Sequence, residues 1–350
     1  MKQVHLLAPV LLFICINLNA QTTDVVTGLS WPIDMVLNGN DLYISENTGG
    51  KISKIDITDP TPTAIDVITN ISYPVGIAIN GNDLYILDNN DDKILKIDIT
   101  DIPPTLTDVV LINKVTKGTL KGNDLYFANS PSPEQYKISK IDINDATPTV
   151  TDIITGINTT GLVFNGNDLY ISNFTENKIS KIDITNPTPT AIDVVIGLNN
   201  PSGLTLNGND LYITEFGGGK ISKINITDTS PTLTDVVTGL NLPNDTIIIG
   251  DDLYIAESGA SKISKINISG LSIDDNISNS TIQLYPNPST DYIQLSNLTN
   301  TVIYTIYSIN GSEITEGQIS NNQKIDISNL TKGLYFLQFD KGKIIKFLKK

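Results

Sequence analysis

The sequence predicts an all-β protein built from repeated four-stranded units, with a second, smaller β unit behind them. Three observations predict it. A 42-residue unit recurs six times, and its core phrase NGNDLY stands at Asn38–Tyr43, Asn80–Tyr85, Asn165–Tyr170 and Asn207–Tyr212, with degraded copies at Lys121–Tyr126 and Ile249–Tyr254. The six tyrosines (Tyr43, Tyr85, Tyr126, Tyr170, Tyr212, Tyr254) lie 42, 41, 44, 42 and 42 residues apart, a fixed period that marks a repeat architecture. Within each unit short apolar runs alternate with turn signals, and no segment after the first twenty residues keeps a helical period.

The first unit shows each element in turn. Asp34–Leu37 is a short apolar run, and Asn38-Gly39 is a hairpin signal because both residues tolerate positive φ. Asp41–Ser45 is a second strand, Glu46–Gly50 a polar turn, and Lys51–Ile57 a third strand rich in β-branched residues. Asp59-Pro60-Thr61-Pro62 breaks the pattern, since proline has no donor, and Ile65–Thr69 is a fourth strand. A four-stranded unit of this length is a propeller blade, and six of them make a six-bladed β-propeller over residues 21–270. Isoleucines of both parities in the third strand (Ile52, Ile55) fit a sheet buried on both faces. The sixth unit lacks its own fourth strand, while Thr23–Leu29 closely copies Thr234–Leu240. The N-terminal segment is therefore expected to close blade six.

Residues 1–20 read as a signal peptide: one lysine, an apolar run from Val4 to Ile16, then a small residue at Ala20. The run is short for a membrane span, so no transmembrane segment is expected in the mature chain. That chain has no cysteine, no histidine (His5 lies in the signal) and no arginine. Disulfides, a thiol nucleophile, a His–Cys zinc site and a Ser-His-Asp triad are all excluded. Strong acidity without arginine argues against nucleic acid as a partner.

Residues 271–281 read as a polar linker, and residues 282–350 hold no NGNDLY unit. The run Ile282-Gln283-Leu284-Tyr285-Pro286-Asn287-Pro288 is followed by Ile306–Ile314, Ile327–Leu337 and a lysine-rich end, Lys343–Lys350. On residues alone this is a sandwich of six to seven strands with Asn-Gly and Lys-Gly turns. These segments, in this order, resemble the C-terminal sorting domain (type A) of the type IX secretion system of Bacteroidetes. The resemblance implies a small β-sandwich that engages the secretion machinery and delivers its cargo to the medium or the outer cell surface. Charge agrees with two modules. Residues 21–270 hold 15 lysines against 31 acids, a net of −16, whereas residues 271–350 balance at seven and seven.

The blades resemble NHL-type and related six-bladed propellers, with Leu253–Glu257 and then Lys262-Ile263 the clearest copy; that fold family hosts many functions. Three residues after each tyrosine stands Glu46, Asp88, Asn129, Asn173, Glu215 or Glu257. A residue present in every blade serves the blade, so each is expected to cap its own turn or pair with the lysine opening the next strand. Departures from the repeat carry more. The position opening the first strand is glycine in four blades (Gly76, Gly118, Gly161, Gly203) but Asp34 in blade one and Asp245 in blade six, neighbours once the ring closes. Asp34 is expected near Glu46 and Asp245 near Glu257, with Glu215 from the adjoining blade. Such a cluster of hard oxygen ligands at one channel mouth suits Ca²⁺ or Mg²⁺. Trp31, at the same mouth, would make with Asp34 and Asp245 a ligand site for a sugar or a metal-bound molecule. Alternatively, aspartate merely replaces glycine at a turn. Blade three lengthens its second turn through Ser130–Tyr136, on the same side.

Two functions compete. One is a secreted or cell-surface propeller that binds a protein or a glycan without catalysis. The other is a divalent-metal-dependent, lactonase-like hydrolase or lyase working at the acidic mouth.

Overall fold

The computed structural model describes residues 22–132, 135–269, 283–296, 298, 301–308, 312–339 and 343–350. The expected signal peptide and the whole of the expected linker lie outside them. The chain divides into two compact units, Met1–Leu271 and Ser272–Lys350.

The first unit is a ring of six four-stranded antiparallel sheets. Blade one runs Pro32–Asn38, Asp41–Glu46, Lys51–Asp56 and Ile65–Thr69, each strand paired with the next. Asn38 pairs with Asp41 across a two-residue Gly-Asn turn in which Gly39 takes a φ of 61°. The sequence expectation starts the first strand at Asp34; the structure starts it at Pro32, so Asp34 and Asp245 are third residues of their strands and not turn residues. Blade three is the exception, its first strand holding only Gly118–Lys121.

Closure follows the expectation. Thr23–Thr27 is the outer strand of blade six, pairing with Lys262–Asn267 so that Thr23 faces Lys265 and Thr27 faces Lys262. Val26 and Leu29 are buried, and burying two such side chains stabilises by about 3–6 kcal/mol in all.

The core sits between blades, which is why one blade cannot stand alone. Ile55, Leu42 and Ile44 pack toward blade six, against Val26, Tyr254 and Ile263. Ile52 and Tyr43 pack the other way, against Ile77, Leu84 and Ile86 of blade two. The period of two thus feeds two cores, as isoleucines of both parities require. The repeated tyrosines lie in these interfaces, five of them beneath the lysine of the third strand: Lys54 Nζ is 5.8 Å from the Tyr43 ring centroid. The same lysine holds Asp41 at 2.6 Å.

The second unit has two sheets. One orders Gln283–Tyr285, Tyr292–Ser296 and Lys324–Asp326; the other orders Glu313–Ile319, Val302–Ser308, Gly333–Phe339 and Lys343–Lys349. Ile293 and Leu295 of the first share one core with Ile306, Leu337 and Phe347 of the second, which makes a sandwich. Among the described residues no helix is long and apolar enough to cross a membrane.

Candidate functional site: the axial mouth

The ends of the blades are not alike. One face of the ring carries the loops between second and third strands and those leading from one blade to the next; we call it the upper face. The lower face carries the Gly-Asn turns and the Pro-Thr loops.

Glycine at the third position of the first strand has a steric cause. A Cβ on Gly161 would lie 1.9 Å from the Ser202 carbonyl oxygen, and one on Gly76 would lie 2.6 Å from that of Thr116. At Gly76, Gly161 and Gly203 the neighbouring first strand approaches too closely for a side chain, whereas at Gly118 the nearest atoms are leucine side-chain carbons 3.2–3.4 Å away. At Asp34 and Asp245 each carboxylate binds the next blade. Asp34 Oδ2 accepts from Ile77 N at 2.7 Å, and Asp245 Oδ2 accepts from Met35 N at 3.3 Å. Both residues are buried, 1% and 3% exposed, so the charges need compensation.

Lys117 supplies it. This residue precedes Gly118 in blade three, and its ammonium bridges both acids, 2.9 Å from Asp245 Oδ1 and in contact with Asp34 Oδ1. The triad joins blades one, three and six. Burial alone would lower the Lys117 pKa, but Asp245 and Asp34 hold it above the ordinary lysine value. Burial is also the largest influence on Asp245; with Asp34 beside it, it outweighs the pull of Lys117 and pushes the carboxyl up to about 7. Sequence reasoning missed Lys117. A signal existed: the matching residues are Ile33, Val75, Thr160, Ser202 and Asn244, so Lys117 is the only charge at that position.

The five carboxylates expected to gather do not. Glu46 lies across from Pro32, not Asp34, and Glu257 across from Pro243, not Asp245. Their carboxylates cap their own blades. Glu46 accepts from Ser30 N at 2.7 Å, Glu215 from Asn199 N at 2.9 Å and Glu257 from Asn241 N at 3.0 Å, each partner sixteen residues back. Lys51, Lys220 and Lys262 stand 3.4–3.5 Å away. Asp88 follows the same rule through Ser72 N. Among the described residues no group of three acids, histidines or cysteines is arranged to hold a metal. Two carboxylates with an ammonium between them do not fit Ca²⁺ or Mg²⁺, which take an oxygen shell.

Trp31 is half-buried in the loop entering blade one, its carbonyl accepting from Asn47 N at 3.1 Å. Its φ of 58° is left-handed, but Asn200 (48°) and Leu242 (49°) at the matching positions share it, so the loop imposes it. A groove of about 620 Å³ lies elsewhere, between the closing strand of blade six and the Pro60–Ala64 loop of blade one.

Comparison with known proteins gives an address for one end and a fold for the rest. Residues 283–350 match the family model described as "Secretion system C-terminal sorting domain". No curated protein matches the chain. Among solved structures, a luciferin-regenerating enzyme is similar with a TM-score of 0.61 and 12% identity over 72% of this chain and 96% of that one. A gluconolactonase of Xanthomonas campestris gives 0.59 and 12%, over 71% and 89%. Virginiamycin B lyase of Staphylococcus aureus gives 0.53 and 16%, over 71% and 98%. At such identities the likeness is one of fold alone. The fold and its tail define a class: a β-propeller carrying a type IX secretion sorting domain. The sorting domain implies that the chain meets the secretion machinery and is secreted or held at the cell surface.

Proposed function

We propose that this chain is a non-catalytic propeller that binds a protein or glycan ligand outside the cell. The observation that carries the reading is Lys117. Its ammonium occupies the space between Asp34 and Asp245 that a divalent cation would need, so the axial charges are compensated from within the chain. The absence of histidine, cysteine and arginine after residue 20 supports it by removing the usual acid-base and nucleophilic groups. A signal peptide at residues 1–20, in a Bacteroidetes host, supplies the first export step, and the C-terminal domain the second. Regular blades of NHL-like type provide the scaffold.

One observation favours a lactonase-like hydrolase or lyase instead: two buried acids meet at the axis of a fold that a gluconolactonase also has. Thermal unfolding of the whole protein in EDTA, then in excess Ca²⁺ or Mg²⁺, separates the two. A cation at one hundred times its dissociation constant stabilises by about 2.7 kcal/mol. The binding reading expects no shift. A shift in the wild type that Asp34→Asn/Asp245→Asn abolishes would establish the metal reading and open a screen of lactones.

A further inference from the structure

The two faces of the ring differ in how faithfully the repeat is copied. On the lower face the Gly-Asn turns and Pro-Thr loops recur almost unchanged and contain no aromatic residue. On the upper face every loop differs. Five aromatics outside the repeat pattern stand there: Trp31, Tyr73, Tyr136, Phe174 and Phe216, one for each of blades one to five. The described ends of the blade-three insertion, Ser130–Ser132 and Gln135-Tyr136, are on the same face. In repeat proteins, per-repeat variation confined to one face marks the binding side.

The junction of blades four and five is the most developed part. The Phe174 and Phe216 rings are 6.1 Å apart, tilted by 52° and partly buried. Gly217, Gly218 and Gly219 follow Phe216, so no side chain from that loop stands beside the rings. The exposed Asn199, in the loop from blade four to blade five, lies against Gly217 and Gly218, and no hydrogen bond among the described residues engages its side-chain amide. Asn200 Nδ2 donates to Phe174 O at 3.2 Å and Asn200 N donates to Asn177 Oδ1 at 2.8 Å, which fixes the shelf.

Charge identifies the occupant. The three loops here, residues 174–177, 197–200 and 216–219, carry one charge, Glu176, which pairs at 2.7 Å with Lys178, a lysine that also pairs with Asp193 at 3.0 Å. This neutral surface sits on a body of net charge −16. Aromatic faces stack on the C–H faces of pyranose rings, and amides both donate to and accept from hydroxyls. An anionic polymer would be repelled by the body, and a cationic one would find on the shelf only Glu176, which Lys178 already holds.

Resting on the binding reading above, we infer that the Phe174–Phe216 shelf binds a neutral polysaccharide chain, with the Asn199 side-chain amide holding its hydroxyls. Calorimetric titration of the whole protein with cellohexaose, xylohexaose, mannohexaose and laminarihexaose, and with hexagalacturonate as the anionic control, tests it. At least one neutral hexaose is expected to bind with a dissociation constant of about 1 mM or tighter, and Phe174→Ala/Phe216→Ala to weaken it at least tenfold. Both rings are partly buried, so the melting temperature of the variant is read alongside; if it falls, Asn199→Asp replaces the pair and is expected to weaken binding in the same direction. No neutral hexaose bound, preference for hexagalacturonate, or affinity indifferent to these substitutions would overturn the inference, and so would a protein ligand bound on this shelf. Release of new reducing ends from a bound hexaose would overturn the non-catalytic reading while leaving the glycan site standing.

Discussion

Two sets of buried acids share the upper face, and they behave in opposite ways. The acids ending the second strands, such as Glu46, Glu215 and Glu257, recur around the ring, and each binds a backbone amide sixteen residues back in its own loop. Asp34 and Asp245 do not recur, and they bind across blades to Met35, Ile77 and Lys117. Among these carboxylates the repeated ones tie down the loop that enters their own blade, and the two that depart from the repeat tie one blade to the next, adding polar links to the apolar cores that already join the blades.

The comparison can be broken most severely where the ring closes. Removing residues 21–30 takes away the outer strand of blade six, and the loss of Val26 and Leu29 alone should cost about 3–6 kcal/mol, read by chemical denaturation. Equal stability of the shortened and full chains would mean the strand is not a closing element. Next comes Lys117→Met at pH 8. It leaves two buried carboxylates uncompensated, and about 3–5 kcal/mol should go. A change under 1 kcal/mol would show that solvent, not Lys117, compensates the pair.

Glu215→Ala tests the repeated set. It strands the Asn199 backbone amide and leaves the Ser222 hydroxyl only Asp235 as acceptor, and should cost about 1–3 kcal/mol, less than the cross-blade lysine. Asp245→Asn sharpens the contrast through pH. The Asp245 carboxyl titrates at about 7 when folded and near 4 when unfolded. Its favourable contribution is therefore full below about pH 4 and is lost as the pH rises through 7. Asparagine removes that slope, so the variant should match the wild type at pH 4 and exceed it at pH 8 in stability curves. The smallest effect belongs to the exposed repeated pairs: Lys54→Met, which breaks the bond to Asp41, should change stability by about 0–1 kcal/mol.

The sequence carried the ring well because a repeat reports the same fact six times. Four exact and two degraded copies of NGNDLY placed the hairpins, and the echo of Thr234–Leu240 in Thr23–Leu29 placed the closing strand. Asp34 and Asp245 were visible as departures, and they do meet at the axis. The direction of the glutamates was not visible, because it depends on the amide at position i−16, which only the folded loop brings near. Lys117 was equally hidden. Its partners are 83 and 128 residues away, and only ring closure sets that span within the reach of one lysine. Phe174 and Phe216 were readable as letters but not as a pair, since their rings meet across a blade junction.

The closing strand also sets a timetable. Thr23 pairs with Lys265, so one of the first segments to leave the ribosome must wait for one of the last of the propeller before the ring can shut. Contacts of that sequence separation form late and slowly. Until residue 267 has emerged, the chain is an open arc with a bare blade edge and cannot hold its finished shape. A protein bound for export is thereby kept from completing itself early, and the sorting tail follows within about twenty residues of the strand that lets it close.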